Sequence, residues 1–138
     1  MQSVNEGLLN EKKAVKITVT SNSGDDFHRE EVMGSLLEKN GSHLLQYVDS
    51  AQIKTSIKLG NGEIHLLRSG GHVNHRLKIK SGERTVGVMG ENPFFIEGRR
   101  AQWNFNGECG EVRLGYTLPD ISDEPMNFSI RIKFSVDS

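Results

Sequence analysis

Apolar and polar residues alternate along most of the chain. The longest run, 126–136, has its apolar side chains at every second position: Met126, Phe128, Ile130, Ile132, Phe134 and Val136. Shorter stretches at 15–20, 53–59 and 112–118 follow the same pattern. A period of two residues with one apolar face is typical of half-buried antiparallel strands. After residue 20 no stretch shows the helical period of about 3.6 residues, so the sequence predicts an all-β protein.

Glycine-containing pairs separate these alternating stretches. Asn40-Gly41 and Asn61-Gly62 are preferred two-residue hairpin turns, because both turn positions need a positive φ. Gly70-Gly71, Ser81-Gly82 and Asn106-Gly107 are weaker signals of the same kind. The turns delimit about ten strands, predicted at 14–21, 28–39, 42–49, 52–60, 63–69, 72–80, 83–89, 94–106, 110–118 and 126–136. Because closing a meander removes its exposed edges, we expect a closed antiparallel meander β-barrel of about 8–10 strands.

Hairpin geometry predicts which residues share the inner face of the barrel. Counting back from the Asn-Gly turn at 61–62 places Thr55 opposite Arg68. Counting from the glycine pair that follows places His75 inward on the next strand, diagonal to Arg68, and Tyr47 lies nearby on the same face. A slip of one residue would turn a whole strand over, so agreement between successive turns supports this register.

The same counting makes two predictions for the strands that follow. A turn at Ser81-Gly82 places Val86 and Val88 on the inner face. In the next strand two of the apolar residues before Gly98 are at even positions and those after it are at odd positions, so a regular strand would place them on opposite faces. A β-bulge near Gly98 and Arg99 restores both sets to the interior.

Composition adds mainly exclusions. The chain of 138 residues predicts one domain, 14–138, after a polar, aperiodic and flexible tail at 1–13. Its 17 Lys and Arg nearly balance its 18 Asp and Glu, which argues against a nucleic-acid partner. No apolar run approaches the ~20 residues of a membrane span, and no signal-peptide pattern is seen, so we expect no membrane partner. The single cysteine, Cys109, cannot form an internal disulfide, which favours a reducing compartment, and we expect a cytoplasmic protein.

Three segments, taken in order, resemble a known family. They are 37–42 (LEKNGS), 66–70 (LLRSG) and 110–116 (GEVRLGY). Their order makes the stretch 15–136 similar to the YwiB-like family of bacterial calycin-type barrels, whose role is uncharacterised. The resemblance implies a lipocalin-like closed barrel and brings no catalytic or binding residues. One departure is the PFFI segment at 93–96, where the family is expected to have Pro-Tyr-Gly followed by apolar residues.

Arg68 and His75 are the most unusual of the predicted inward residues. A buried guanidinium is costly unless it is paired and hydrogen-bonded, and its geometry matches a carboxylate or phosphate group. The predicted ligand-binding set is Arg68, His75, Tyr47 and Thr55. The alternative is a structural arginine at the barrel mouth, solvated or paired with Glu97 or Asp49.

The sequence shows no group of residues with the spacing that a metal site or a catalytic site needs. His72 and His75 are three residues apart on a strand and so face opposite sides, and a zinc site needs further ligands close by. Cys109 lies in a turn with no histidine near it in sequence, and neither a triad nor a glycine-rich phosphate loop is recognisable. We therefore expect no metal, no cofactor and no enzymatic activity.

The sequence favours a non-catalytic barrel that binds a small amphipathic or anionic molecule. Small barrels of this kind are either filled with side chains or hold one small ligand. The alternative is a packed barrel without a cavity that acts as a protein-interaction module through its outer surface. An unpaired Arg68 that faces open space favours the first function, and an internal carboxylate paired with Arg68 favours the second. No feature of the sequence indicates an oligomeric state.

Overall fold

The computed structural model describes residues 12–120 and 123–137, and these form ten β-strands. The strands are β1 (Lys12–Ser23), β2 (Asp26–Lys39), β3 (Ser42–Val48), β4 (Lys54–Gly60), β5 (Glu63–Gly70), β6 (Val73–Ile79), β7 (Arg84–Met89), β8 (Asn92–Asn106), β9 (Cys109–Leu118) and β10 (Met126–Val136). The predicted tail, 1–13, lies outside the described residues except for Lys12 and Lys13, which begin β1. No helix of the length and hydrophobicity that a membrane crossing needs occurs within the two described ranges.

Each strand pairs antiparallel with the next one along the chain, and β10 pairs with β1 to close the barrel. The predicted fold class, an all-β closed meander barrel, is therefore confirmed. The hairpin turns have the backbone conformation that their sequences require. Asn40 and Gly41 have φ of 51° and 80°, and Asn61 and Gly62 have φ of 54° and 73°.

The predicted register of the inner face is confirmed from β3 to β5 and needs one correction at β6. Thr55 lies opposite Arg68 as expected. Gly70, however, still pairs with Val73, so the turn begins one residue later and Arg68 lies directly opposite His75 instead of diagonal to it. The backbone at Gly70 packs against the β3–β4 loop, where an added Cβ would lie 2.9 Å from the nearest carbonyl oxygen. This packing keeps Gly70 in the strand. The register between β5 and β6 is shifted by two positions, so the residues of β6 that were predicted to face inward still do so.

The prediction for β7 is wrong by one residue. Val86 and Val88 face outward, and 57% of the Val86 surface is exposed. The β6–β7 connection is longer than a two-residue turn, because the Gly82 N–H donates to Gly98 and the Glu83 carbonyl accepts from Gly98. These bonds to β8 insert an extra residue before the β6–β7 ladder begins, and a one-residue offset reverses the face of a strand.

The predicted β-bulge in β8 is confirmed. Gly98 lies opposite Tyr116 and Arg100 lies opposite Gly115, so Arg99 is the extra residue. A side chain at position 98 would collide with the backbone carbonyl of residue 80, which explains the glycine there.

The two ends of the barrel differ in packing. The turns after β2, β4, β6 and β8 lie at one end, called here the closed end, and the loops after the odd-numbered strands lie at the other, the open end. Aromatic rings fill the closed end: Phe105 lies edge-on to His43 and to Phe134, with ring centroids 4.2 and 5.1 Å apart. The fully buried residues of the closed half include Val15, Leu45, Leu59, Ile64, Ile79 and Val112. The core therefore sits toward the closed end and leaves the open end to the candidate site.

Candidate functional site

A cavity of about 420 Å³ enters the barrel at the open end. Its apolar lining includes Ile57, Leu66, Leu77, Leu114 and Ile132. Its polar lining includes Glu30, Tyr47, Asp49, Thr55, Arg68 and His75. The volume lies in the lower part of the range of roughly 300–1,000 Å³ that is usual for small-molecule sites. The cavity thus combines an apolar interior with polar groups near its mouth.

All four residues of the predicted ligand-binding set line this cavity. They form one row across neighbouring strands, since Tyr47 lies opposite Thr55, Thr55 opposite Arg68, and Arg68 opposite His75. Strand β4 runs from the open to the closed end, so Ile57 lies one inward position deeper than Thr55. The row therefore marks the level at which polar residues give way to the apolar interior. The binding role of these four residues stays a prediction.

Arg68 has a weak partner in the barrel mouth. Its Nη2 atom lies 3.5 Å from Oδ2 of Asp49, with 35% and 14% of the two side chains exposed. The other Asp49 oxygen accepts two backbone N–H groups of the β3–β4 loop, at 2.9 and 3.0 Å. Glu97, the other partner considered, lies 3.4 Å from Arg84 instead. Asp49 is thus tied chiefly to its own loop, and a single long contact leaves most of the five guanidinium donors of Arg68 available.

Two tyrosine hydroxyls lie near Arg68. Burial raises the pKa of Tyr47 to about 12, although its hydrogen bond with Thr55 and the charge of Arg68 act in the opposite direction. Burial likewise raises the pKa of Tyr116 to about 12 against the influence of Arg68. Both phenols are therefore neutral at physiological pH and can donate a hydrogen bond to a ligand.

His75 stands beside Arg68 on the same wall. Partial burial lowers its pKa from the ordinary value, and the positive charge of Arg68 lowers it further. The imidazole is therefore mainly neutral at pH 7, with one donor and one acceptor nitrogen. An anion bound at Arg68 would counter the charge that disfavours protonation of His75.

Sequence analysis missed the contribution of β2 to the cavity mouth. Glu30 and His28 line the cavity, with 3.5 Å between Nε2 of His28 and Oε2 of Glu30. Glu30 also accepts the backbone N–H of Ser50 at 2.6 Å. The first half of β2 is rich in polar residues, so the alternation of apolar and polar residues cannot be seen there. The position of Glu30 could still have been found from the alternation of the strand. Glu30 is two residues from Val32 and therefore faces the same side, the interior.

An aromatic pair forms part of the wall contributed by β9 and β10. Tyr116 and Phe128 stack with ring centroids 5.1 Å apart and planes 15° apart. Both residues line the cavity as well as the core, and a ligand there meets flat apolar surfaces. An anionic group near Arg68 with an apolar body against these walls is the chemistry that the site accommodates.

Metal ligands and nucleophiles are not gathered at this site. In the part of the chain that the structure describes, no group of three or more His, Cys, Asp or Glu side chains could hold a metal ion. The thiol of Cys109 is exposed and lies 3.6 Å from the carbonyl oxygen of Asn106, at the closed end.

The comparisons with known proteins concern the fold and the family. The fold is similar to the crystal structure of the ywiB protein from Bacillus subtilis, with a TM-score of 0.77 and 17% identity over 96% of this chain and 99% of that chain. At this identity the likeness shows the fold alone. No curated protein matches the chain. A family model described as "Domain of unknown function (DUF1934)" matches residues 14–132, which is most of the chain. The chain therefore belongs to the DUF1934 family, and its resemblance to YwiB-like barrels is confirmed.

Proposed function

We propose that the barrel binds a small amphipathic anion in the cavity at its open end, without catalysing a reaction. The observation that carries this proposal is the position of Arg68. Its guanidinium lines an apolar cavity of about 420 Å³ and has one ion-pair contact, at 3.5 Å, among the described residues. A charged group in such a place is costly unless other groups complete its hydrogen bonds.

The charges at the mouth leave Arg68 as the group that recognises the ligand. Glu30 and Asp49 are both negative, but each already accepts backbone N–H groups of the β3–β4 loop. These bonds fix the orientation of the two carboxylates and weaken their interaction with the guanidinium of Arg68. A ligand carboxylate or sulfonate gains charge-assisted hydrogen bonds with Arg68, supplemented by the neutral phenols of Tyr47 and Tyr116.

The apolar interior selects the rest of the ligand. Leu66, Leu77 and Leu114 face the same cavity below the polar row. Burial of each ligand methylene there is worth roughly 0.8 kcal/mol. The proposed ligand is therefore an anion with a short aliphatic or aromatic body, and its affinity should rise with chain length until the cavity is full.

A binding role without catalysis is supported by the state of the groups present. The pKa of about 12 for both tyrosines keeps them protonated, so that they act as hydrogen-bond donors and not as nucleophiles or bases. The thiol of Cys109 lies at the closed end, away from the cavity. The same exposed free thiol supports a reducing compartment, and we propose the cytoplasm.

The alternative function, a protein-interaction module, has two observations in its favour. The first is the ion pair of Arg68 with Asp49, although its length of 3.5 Å makes it a weak one. The second is an exposed apolar surface. Leu67, Val86 and Phe95 are exposed on the outer faces of β5, β7 and β8, with 42%, 57% and 47% of their surface accessible. Such apolar patches often mark interaction surfaces. The structure does not support the packed interior that this alternative assumed, because the barrel holds a cavity of about 420 Å³.

The proposal is tested by calorimetric titration with decanoate, an anion with an aliphatic chain. Arg68→Met is expected to weaken decanoate binding by about tenfold or more, because a hydrogen-bonded charge pair is lost. Arg76→Met is the matched control, since Arg76 lies on the outer face of the next strand. Decanol, which has the same chain without the charge, should bind the wild type and both variants equally. Decanoate affinities that are the same in all three proteins, or no binding at all, would contradict the proposal.

A further inference from the structure

A second polar groove, of about 540 Å³, lies across β8, β9, β10 and β1. Four arginines line it: Arg99, Arg100, Arg113 and Arg131. Arg113 and Arg131 alternate in sequence with Leu114 and Ile130, which line the cavity inside the barrel. Side chains alternate across a strand, so these arginines project from the outer wall. The arginines therefore lie on the opposite side of the barrel wall from Arg68, and the wall residues Leu114, Phe128 and Ile130 contribute to both the groove and the interior cavity.

Two of the arginines are placed directly against each other. Arg113 lies opposite Arg131 in the β9–β10 ladder, an arrangement of like charges that destabilises a sheet. Glu111 offsets part of this repulsion. One of its oxygens lies 2.6 Å from Nε of Arg113, and the other lies 2.8 Å from Nη2 of Arg131. One carboxylate therefore serves two guanidinium groups and holds both in fixed orientations.

The β-bulge delivers the other two arginines. Because Arg99 is the extra residue of the bulge, two consecutive arginines reach the same groove. Nη1 of Arg99 donates to Oδ1 of Asn127 at 3.0 Å, and the Thr117 hydroxyl donates to that same oxygen at 2.6 Å. No ion pair to Arg100 is found among the described residues. With Glu111 included, the cluster has an excess of three positive charges in a chain of net charge −1.

We propose that this groove binds a phosphoryl group carried by a small molecule. The planar fork of arginine matches phosphate oxygens, and several guanidinium groups converge here from three strands. An excess of three charges favours a multiply charged anion over a single carboxylate. Such an anion also relieves the repulsion between Arg113 and Arg131, which otherwise remains a cost to the fold.

Gly115 offers a way to block the groove without damage to the fold. It lies in the groove between the two bulge arginines. An added Cβ would lie 3.6 Å from the Phe128 carbonyl oxygen and 3.7 Å from the Cβ of Arg100, which are ordinary contacts. Valine is well suited to a strand, so Gly115→Val should fold normally while it places a branched side chain beside Arg99 and Arg100.

The test is a titration of ¹⁵N-labelled protein with inorganic pyrophosphate, followed by amide chemical shifts. We expect saturable shifts confined to 20–22, 98–102, 113–117 and 127–131. Arg100→Gln and Gly115→Val should each weaken binding by about tenfold, because one removes a charged donor and the other obstructs the approach to Arg99 and Arg100. The control Arg76→Gln, an exposed arginine on β6, should bind like the wild type.

Several results would overturn the proposal. The first is the absence of saturable shifts with pyrophosphate, and the second is an equal loss of affinity in Arg76→Gln. Equal binding of acetate would show that the groove does not select phosphate. Tighter binding of a single-stranded DNA oligonucleotide, lost in the same variants, would assign the groove to a nucleic-acid strand instead of a small molecule.

Discussion

At the scale of single residues, the environment of Arg68 determines what the barrel mouth can bind. The guanidinium lies beside a neutral His75 and two neutral tyrosines, and its carboxylate neighbour Asp49 is already bonded to its own loop. Hairpin counting predicted the inward direction of Arg68 and grouped it with Thr55 and His75. Sequence analysis named Glu97 and Asp49 as alternative partners of Arg68, and the structure pairs it with Asp49. Hairpin counting alone could not choose between them, because Asp49 lies in a loop whose conformation depends on its own hydrogen bonds.

The lowered pKa of His75 predicts a pH dependence of anion binding. In the free protein, burial and Arg68 disfavour protonation, so His75 gains its charge only below its ordinary value of 6.5. A bound anion favours the protonated form, and decanoate should therefore bind more tightly as the pH falls from about 7.5 to about 5.5. Calorimetric titration at these two values measures the change.

Two histidine variants separate this effect from general changes with pH. His75→Gln should remove the increase in affinity at low pH, and His72→Gln, in the exposed turn between β5 and β6, should retain it. An increase that persists in His75→Gln would mean that His75 is not in electrostatic contact with the ligand.

At the scale of strands, the sequence predicted the number and order of the strands well. It failed to predict which way a strand faces where the connection before it is longer than a two-residue turn. The bulge at Gly98 follows from a parity change that is visible in the sequence. The reversed facing of β7 does not, because Val86 and Val88 are apolar and suit either face. What decides it is a pair of backbone hydrogen bonds between the β6–β7 turn and Gly98, which is distant in sequence.

The corrected register of β7 predicts the effect of a small substitution. Gly87 faces inward, and an added Cβ would lie 2.5 Å from Cδ1 of Ile96, 2.9 Å from Cζ of Phe94 and 3.0 Å from the Arg76 carbonyl oxygen. Gly87→Ala should therefore destabilise the barrel by about 1–3 kcal/mol through overpacking. Denaturation in urea, with the midpoint compared at unchanged slope, measures this effect.

Gly115→Ala is the matched control for this substitution. Its Cβ meets only ordinary contacts, the nearest at 3.6 Å, and the loss of glycine flexibility in a strand should stabilise the protein by roughly 0.5–1 kcal/mol. If Gly87→Ala were as stable as this control, the residue would face solvent, as the uncorrected register implies.

At the scale of the whole molecule, the barrel is packed at one end and hollow at the other. About eight strands give an interior that side chains just fill, and the diameter grows with strand number, so ten strands leave extra space. Aromatic rings occupy that space at the closed end, and the cavity occupies it at the open end. The sequence predicted the closed barrel and favoured a ligand inside it, but it could not decide between a hollow and a packed interior. The cavity is lined by the same types of residue that fill the closed half of the barrel. The volume of the cavity depends on the distance between opposite walls, which the sequence does not show.

The most direct test of the central claim is to locate bound decanoate by nuclear Overhauser effects from its chain to protein methyl groups. Leu66 and Leu67 are neighbours in sequence, with 4% and 42% of their surface exposed, and they face the interior and the exterior respectively. We predict contacts from the decanoate chain to Leu66 and Leu77 and none to Leu67. Contacts to Leu67 or Val86 without contacts to Leu66, or no contacts at all under saturating decanoate, would contradict binding within the cavity.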